Sequence, residues 1–219
     1  MSLFLKELPL ALGAAVSPTV LTVGLLILSG KKRPLARAVA YAFGAAVPLL
    51  VVGVLGVLFL HSAVETNTGI RASPWVDVAF GVVLIGLGLR RISKRKTAQE
   101  KQGRRAGKLA GAGPLPFVGV GAVMMLTNFT TLALYLPMVK DMARSGSPAL
   151  ERVVVLLILD VIVLAVAIVP PVLVALGGAP ARRALDRLNG WVSRNSRAIG
   201  TVLFIAFGVY LLVRGFRGM

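Results

Sequence analysis

Six apolar runs, parted by short polar segments, decide what this chain can fold into. A helical run of about twenty apolar residues spans the hydrocarbon core of a bilayer. The second run, Ala38 to Leu60, holds no charged residue at all. In lipid, backbone N–H and C=O groups must be paired within the segment, so such runs read as α-helices. The composition agrees, with 57% of residues hydrophobic and 15% charged, against about a quarter charged in a soluble domain. The sequence therefore predicts an all-α integral membrane protein with six transmembrane helices.

The most polar stretch lies near the middle: Arg90 to Lys108, RRISKRKTAQEKQGRRAGK, with nine Lys or Arg and one acid. Three apolar runs precede it and three follow. An odd number of spans per half makes the second half enter the membrane from the opposite side. The expected organisation is two inverted three-helix repeats, residues 1–93 and 114–219, joined by a basic linker over 94–113. That geometry belongs to alternating-access carriers.

Charge orients the chain. The loops after the first, third and fifth runs carry 18 of the 25 basic residues, which marks that side as cytoplasmic. The expectation is a multi-pass plasma-membrane protein with both termini extracytoplasmic and the Arg90–Lys108 loop inside. The same distribution turns the net charge of +17 away from nucleic acid, because the cations sit in loops between spans. Ala14 to Ser17 offers small residues of the kind seen at a signal-peptide cleavage site. The apolar run continues well past them, which favours a retained span.

Some chemistry is excluded at once. The chain has no cysteine and a single histidine, His61, which removes disulfides, thiolate sites and His-rich metal centres. No Gly-rich segment ends in Gly-Lys-Ser or Gly-Lys-Thr, so no nucleotide loop is present. Neither a metal nor a cofactor is expected, and no Ser-His set suggests an enzyme.

The candidate functional residues are the irregular and polar ones inside the spans. Ser17, Pro18 and Thr19 occupy the centre of the first run, Leu8 to Ser29, where a proline removes a hydrogen-bond donor and displaces the helix. A packed kink is the plain reading; a broken helix lining a cavity is the sharper one. Thr127, Asn128, Thr130 and Thr131 form a polar island in the fourth run, Leu115 to Val139, at the place corresponding to Ser17 and Pro18 in the first. Interhelical glue would explain them, but paired irregular segments also point to a carrier's central site. Asp160 lies in the fifth run, Val153 to Gly177, roughly 10 Å from its start at about 1.5 Å per residue. An acid at that depth should face the bundle interior, as a proton or ion coupling group or as a packed, hydrogen-bonded acid. Asp77, one turn into the short third run, reads as interfacial and is a minor candidate. Pro48, Pro170 and Pro171 are expected helix kinks. Ala38, Ala42 and Ala46, with Gly44 nearby, give the second run a small-residue face for close helix approach.

The halves also resemble each other in sequence. AVPLLVVGVL around Pro48 is similar to IVPPVLVALG around Pro170, and FGVVLIGLGLRR to FGVYLLVRGFRG. Together with ALGAAVSPTVLTVGLLILSG near the N-terminus, this pattern resembles the LysE superfamily of small exporters. Within it the chain is most similar to the GAP branch, the peptidoglycolipid addressing proteins. Ser17-Pro18 corresponds to the proline-bearing first-span motif and Thr127-Asn128 to its repeat in the fourth span. The resemblance implies export or surface delivery of amino acids, ions or lipid-linked material. The absence of cysteine and of His–acid clusters narrows this toward an organic cargo.

The leading expectation is thus a secondary carrier or translocator for a small organic or lipid-linked, glycolipid-like cargo. An amino-acid or cation exporter is the neighbouring alternative. A non-transporting membrane subunit that assists an envelope export machine is the alternative of another class. Membrane lipids are expected partners, and the small-residue faces leave room for a homodimer.

Overall fold

The computed structural model describes residues 3–30, 32–65, 74–93 and 112–217, without the side chains of 60–65, 74–77, 90–93, 193, 196 and 197. Most of the basic linker and the loop over 66–73 lie outside the described residues. So does the side chain of Asp77, whose backbone forms the first turn of a helix.

Every described element is an α-helix: α1 Leu3–Ala15, α2 Pro18–Leu28, α3 Pro34–Glu65, α4 Pro74–Ser93, α5 Leu115–Leu126, α6 Phe129–Arg144 and α7 Ala149–Arg217. Three stretches are long and apolar enough to cross a membrane, Pro34–Phe59, Ala149–Val192 and Ala198–Arg217. The number is five if each of the bent pairs α1–α2 and α5–α6 counts as one span. The apolar part of α4, Val78–Leu89, is shorter. Phe43, Phe59, Val161 and Val202 are each more than half exposed, an outward apolar surface suited to lipid rather than water.

The bent pairs have distinct local causes. The residue before a proline is pushed into extended backbone, and Ser17 sits at φ −119°, ψ 100°. Pro18 then opens α2 at a position where its missing N–H costs nothing. It starts a helix rather than bending one, and α1 and α2 meet at 55°. The second break has no proline. Thr127 closes α5, and Asn128 at φ −81°, ψ 82° turns the chain through 68° into α6.

Pro48, Pro170 and Pro171 lie within helices that continue on both sides of them. The departure from helical backbone inside α7 is at Gly178, with φ 55°, ψ −134°, a region glycine enters without steric cost. The basic segment expected as a loop after residue 178 is helical instead. Its Ala, Leu and Arg residues are strong helix formers, and it buries Leu185 and Val192 on one side.

Two apolar cores are stacked along the bundle. The first gathers Leu10 and Ala14 of α1, Leu49 and Val57 of α3, Leu134 and Met138 of α6, and Leu156 and Leu159 of α7. The second gathers Val20 and Leu25 of α2, Ala38 and Tyr41 of α3, Phe117 and Met124 of α5, and Ala167 and Val174 of α7. α3 and α7 therefore run through both cores, in opposite order. Each bent pair leaves one half in each core, also in opposite order.

Glycines set the closest approaches. A side chain at Gly121 would overlap the Tyr41 carbonyl, and one at Gly44 would overlap the backbone of Val118. α3 and α5 thus pack backbone to backbone. The small-residue face of the second run serves this contact, with Ala38 and Ala42 also buried.

Candidate functional site

The two breaks meet between the two cores. The end of α1 leaves backbone carbonyls without intrahelical donors, as any helix C-terminus does. The Ala14 carbonyl accepts from the Thr131 hydroxyl of α6 at 3.0 Å. Thr131 Oγ1 in turn accepts from the Asn128 side-chain amide at 2.7 Å. The same amide donates to Ser17 Oγ across the bundle at 2.9 Å. Ser17 Oγ also accepts from the Val20 N–H at 3.4 Å, capping α2. Asn128 uses both of its N–H donors, one to its own helix and one to the opposite break.

Each member of this knot is placed by its local backbone. Ser17 is the N-cap of α2, a position that favours a short side-chain acceptor. Asn128 is the N-cap residue of α6, yet its side chain makes no cap bond to that helix. Its amide is instead spent on tertiary contacts. Ser17 and Thr131 are buried, and Asn128 is intermediate. Thr127 is exposed and turns its hydroxyl back to the Val123 carbonyl at 2.7 Å. Thr19 and Thr130 are partly exposed beside the knot and contribute no bond to it.

Two helix N-termini, of α2 and α6, and two C-termini, of α1 and α5, converge here. Helix ends carry partial charges of opposite sign, so the junction offers fixed donors and acceptors in the interior of an apolar bundle.

Asp160, on α7, lies apart from the knot. It is 1% exposed, and its Oδ1 accepts from the Tyr135 hydroxyl at 2.8 Å. Tyr135 is fully buried and also lies 3.0 Å from the Leu49 carbonyl of α3. A side chain at Gly53 would collide with the Tyr135 hydroxyl, so this glycine opens the α3 backbone to the phenol. Asn128, Thr131 and Tyr135 are spaced three and four residues apart, which puts them on one face of α6.

Both ends of the bundle carry polar fastenings. At one end Arg214 pairs with Asp141, beside Lys140 at 3.7 Å, and Arg152 donates to the Ala143 carbonyl at 3.3 Å. At the other, Arg182 donates to the Leu28 carbonyl at 3.0 Å and Ser29 to Asp186 at 3.1 Å. Arg37 donates to the Ala112 carbonyl and lies over the Phe117 ring.

The structure thus brings together Ser17, Asn128 and Thr131 of the expected site, with Pro18 at the edge. It sets Asp160 apart, with a partner that sequence reasoning missed. Tyr135 was hidden among apolar neighbours; its place one turn beyond Thr131 was the available signal. Glu7, which the sequence did not single out, is fully buried in α1. Among the described residues, no group of three or more His, Cys, Asp or Glu could hold a metal ion.

A family model described as Sap, sulfolipid-1-addressing protein, matches residues 8–217. The chain belongs to that family, in keeping with the addressing-protein resemblance read from the sequence. No curated protein and no solved structure matches it.

Proposed function

We propose that this member of the sulfolipid-1-addressing family is a membrane carrier that moves a lipid-linked, glycolipid-class molecule toward the cell surface. Its scaffold is read as two inverted three-span repeats of the LysE type. The observation that carries the reading is the Asn128–Ser17 hydrogen bond, which joins the breaks of two helices that pass between the cores in opposite order. Broken helices facing each other at mid-depth are a recurrent design of carrier binding sites.

The family's description names a sulfolipid, and an amphiphile with an anionic headgroup suits this architecture. The headgroup would engage the donors at the two helix N-termini, with Ser17, Asn128 and the partly exposed Thr19 and Thr130 around it. The acyl part would stay against the apolar outer surface. Asp160 would couple the movement to a gradient. The end bearing Arg37, Arg182, Arg183 and Arg187 would face the cytoplasm in the plasma membrane, following the bias of positive charge.

The test is lipid movement by the purified protein in vesicles carrying headgroup-labelled sulfatide, a sulfated glycolipid. Dithionite bleaching of label from the inner leaflet should be faster than in protein-free vesicles, and Asn128→Leu should abolish the acceleration. Equal rates with and without a folded protein would refute carriage and leave the accessory-subunit role.

A further inference from the structure

We propose that Asp160 and Tyr135 form a proton-binding pair in which the proton decides whether Tyr135 is fastened to α3 as well as to α7. The argument starts from a shortage. A phenol has one donor hydrogen, and the Tyr135 hydroxyl faces two acceptors, Asp160 Oδ1 at 2.8 Å on α7 and the Leu49 carbonyl at 3.0 Å on α3. It cannot donate to both at once.

Occupancy of Asp160 resolves the conflict. With the carboxylate ionised, Tyr135 donates to it, because a charged acceptor makes the stronger bond. The Leu49 carbonyl then keeps only its helical partner. When a proton from water adds to Asp160, the acid donates to the Tyr135 oxygen, and the phenol hydrogen swings to the Leu49 carbonyl. Tyr135 stays neutral throughout, and no other bond is made or broken. α6 is tied to α7 in one state and gains a tie to α3 in the other.

The surroundings favour a proton over a metal cation. Asp160 Oδ2 is buried and has no hydrogen-bond partner among the described residues. The oxygens gathered at the site are the carboxylate, the phenol and one carbonyl, short of the six to eight that calcium takes or the octahedron magnesium demands. Between Arg37 and the end of its described side chains, α3 carries no charged side chain, and its one ionisable group there, Tyr41, lies in the other core. Along α6 and α7 the nearest charged groups are Lys140 and Arg152, roughly 7 and 12 Å away by helical rise. Glu7, on α1, belongs to the same half of the bundle.

The pair can reach the helix junction. Tyr135 shares its α6 face with Thr131 and Asn128, whose bonds hold the two breaks together. A change in how Tyr135 is fastened therefore acts on the element that carries the junction. Use of this switch to drive transport rests on the carrier reading; the switch itself does not.

Infrared difference spectra of the protein in vesicles, between alkaline and acid pH, test the pair directly. The expected result is a protonated-carboxyl stretch that appears on acidification and is lost in Asp160→Asn. In Tyr135→Phe, which keeps the ring, the band should remain but shift in frequency and in midpoint pH. Should Asp160→Asn fail to fold, isotope-labelled aspartate in the unsubstituted chain must move the same band. A band unmoved by Tyr135→Phe, the lack of any aspartate band, or its removal by sodium at fixed pH would overturn the proposal. A proton-linked band without lipid movement would leave the pair standing and refute the carrier.

Discussion

The first helix break makes itself, and the second is made by its neighbour. At Ser17-Pro18 the bend is local: proline forces the extended residue before it, and Ser17 caps the helix that follows. At Thr127-Asn128 no proline is present, and Asn128 gives its helix no side-chain cap. Its amide reaches Ser17 on the other break instead. One break is thus encoded in adjacent residues, the other in a contact between residues 111 positions apart. Equivalent-looking sites in the two halves should therefore respond unequally to substitution.

The largest expected effect lies just before the second break. Gly121 presses against the Tyr41 carbonyl, where backbone, not a movable side chain, would have to yield. Gly121→Ala should cost on the order of 1–3 kcal/mol by overpacking, read as a fall in unfolding midpoint in mild detergent. The counterpart in the first half is Gly13, which faces the Phe207 ring. A ring can rotate aside, so Gly13→Ala should cost less. Equal losses would break the asymmetry.

Next comes the amide itself. Asn128→Ala removes the donors to both Ser17 and Thr131. Interhelical bonds in membranes contribute roughly 0.6–1.7 kcal/mol each, so a loss of about 1–3 kcal/mol is expected. Ser17→Ala removes one of those bonds and the cap on α2, but Pro18 still enforces the bend. Its cost should be smaller, about 0.5–2 kcal/mol. A double-mutant cycle between Ser17→Ala and Asn128→Ala should return a coupling of about 0.5 kcal/mol or more. Additive losses would mean that the breaks do not support each other.

The same contrast explains what was legible beforehand. The first break could be read from Pro18 because proline acts on its own backbone. The polar island from Thr127 to Thr131 marked the second, since Asn in an apolar run needs a partner. Which partner it takes is a matter of tertiary packing. Asp160 could be recognised as buried because an acid in lipid has few alternatives. Tyr135 could not, because a tyrosine near a span end reads equally well as an interfacial anchor. The close contact of Gly44 with the facing backbone lay in the small-residue pattern of the second run, but not the helix it would meet, and Gly121 on that helix was outside the pattern. Helix beyond Gly178 was masked by charge, since a basic amphipathic helix and a basic loop have similar composition. Nothing beside Glu7 in the sequence marks it as interior, and only the bundle around α1 reveals that it is inside.

The smallest effect on stability separates structure from use. Thr130 borders the knot, is partly exposed, and makes no bond within it. Thr130→Val keeps the shape of the side chain and replaces the hydroxyl by a methyl. Its stability should stay within about 0.5 kcal/mol of the unsubstituted protein, as for changes away from packed or bonded groups. Lipid movement should nevertheless fall, because a headgroup drawn to the helix N-termini would lose one of its hydroxyl contacts there. Thr127→Val gives the internal control: that hydroxyl is already committed to the Val123 carbonyl, so its removal should touch the end of α5 and leave movement of labelled sulfatide nearly unchanged. If Thr130→Val moved lipid at the normal rate while Thr127→Val did not, the working surface of the second break would be its α5 side. The functional role assigned to the α6 N-terminus would then be wrong, even with the knot intact.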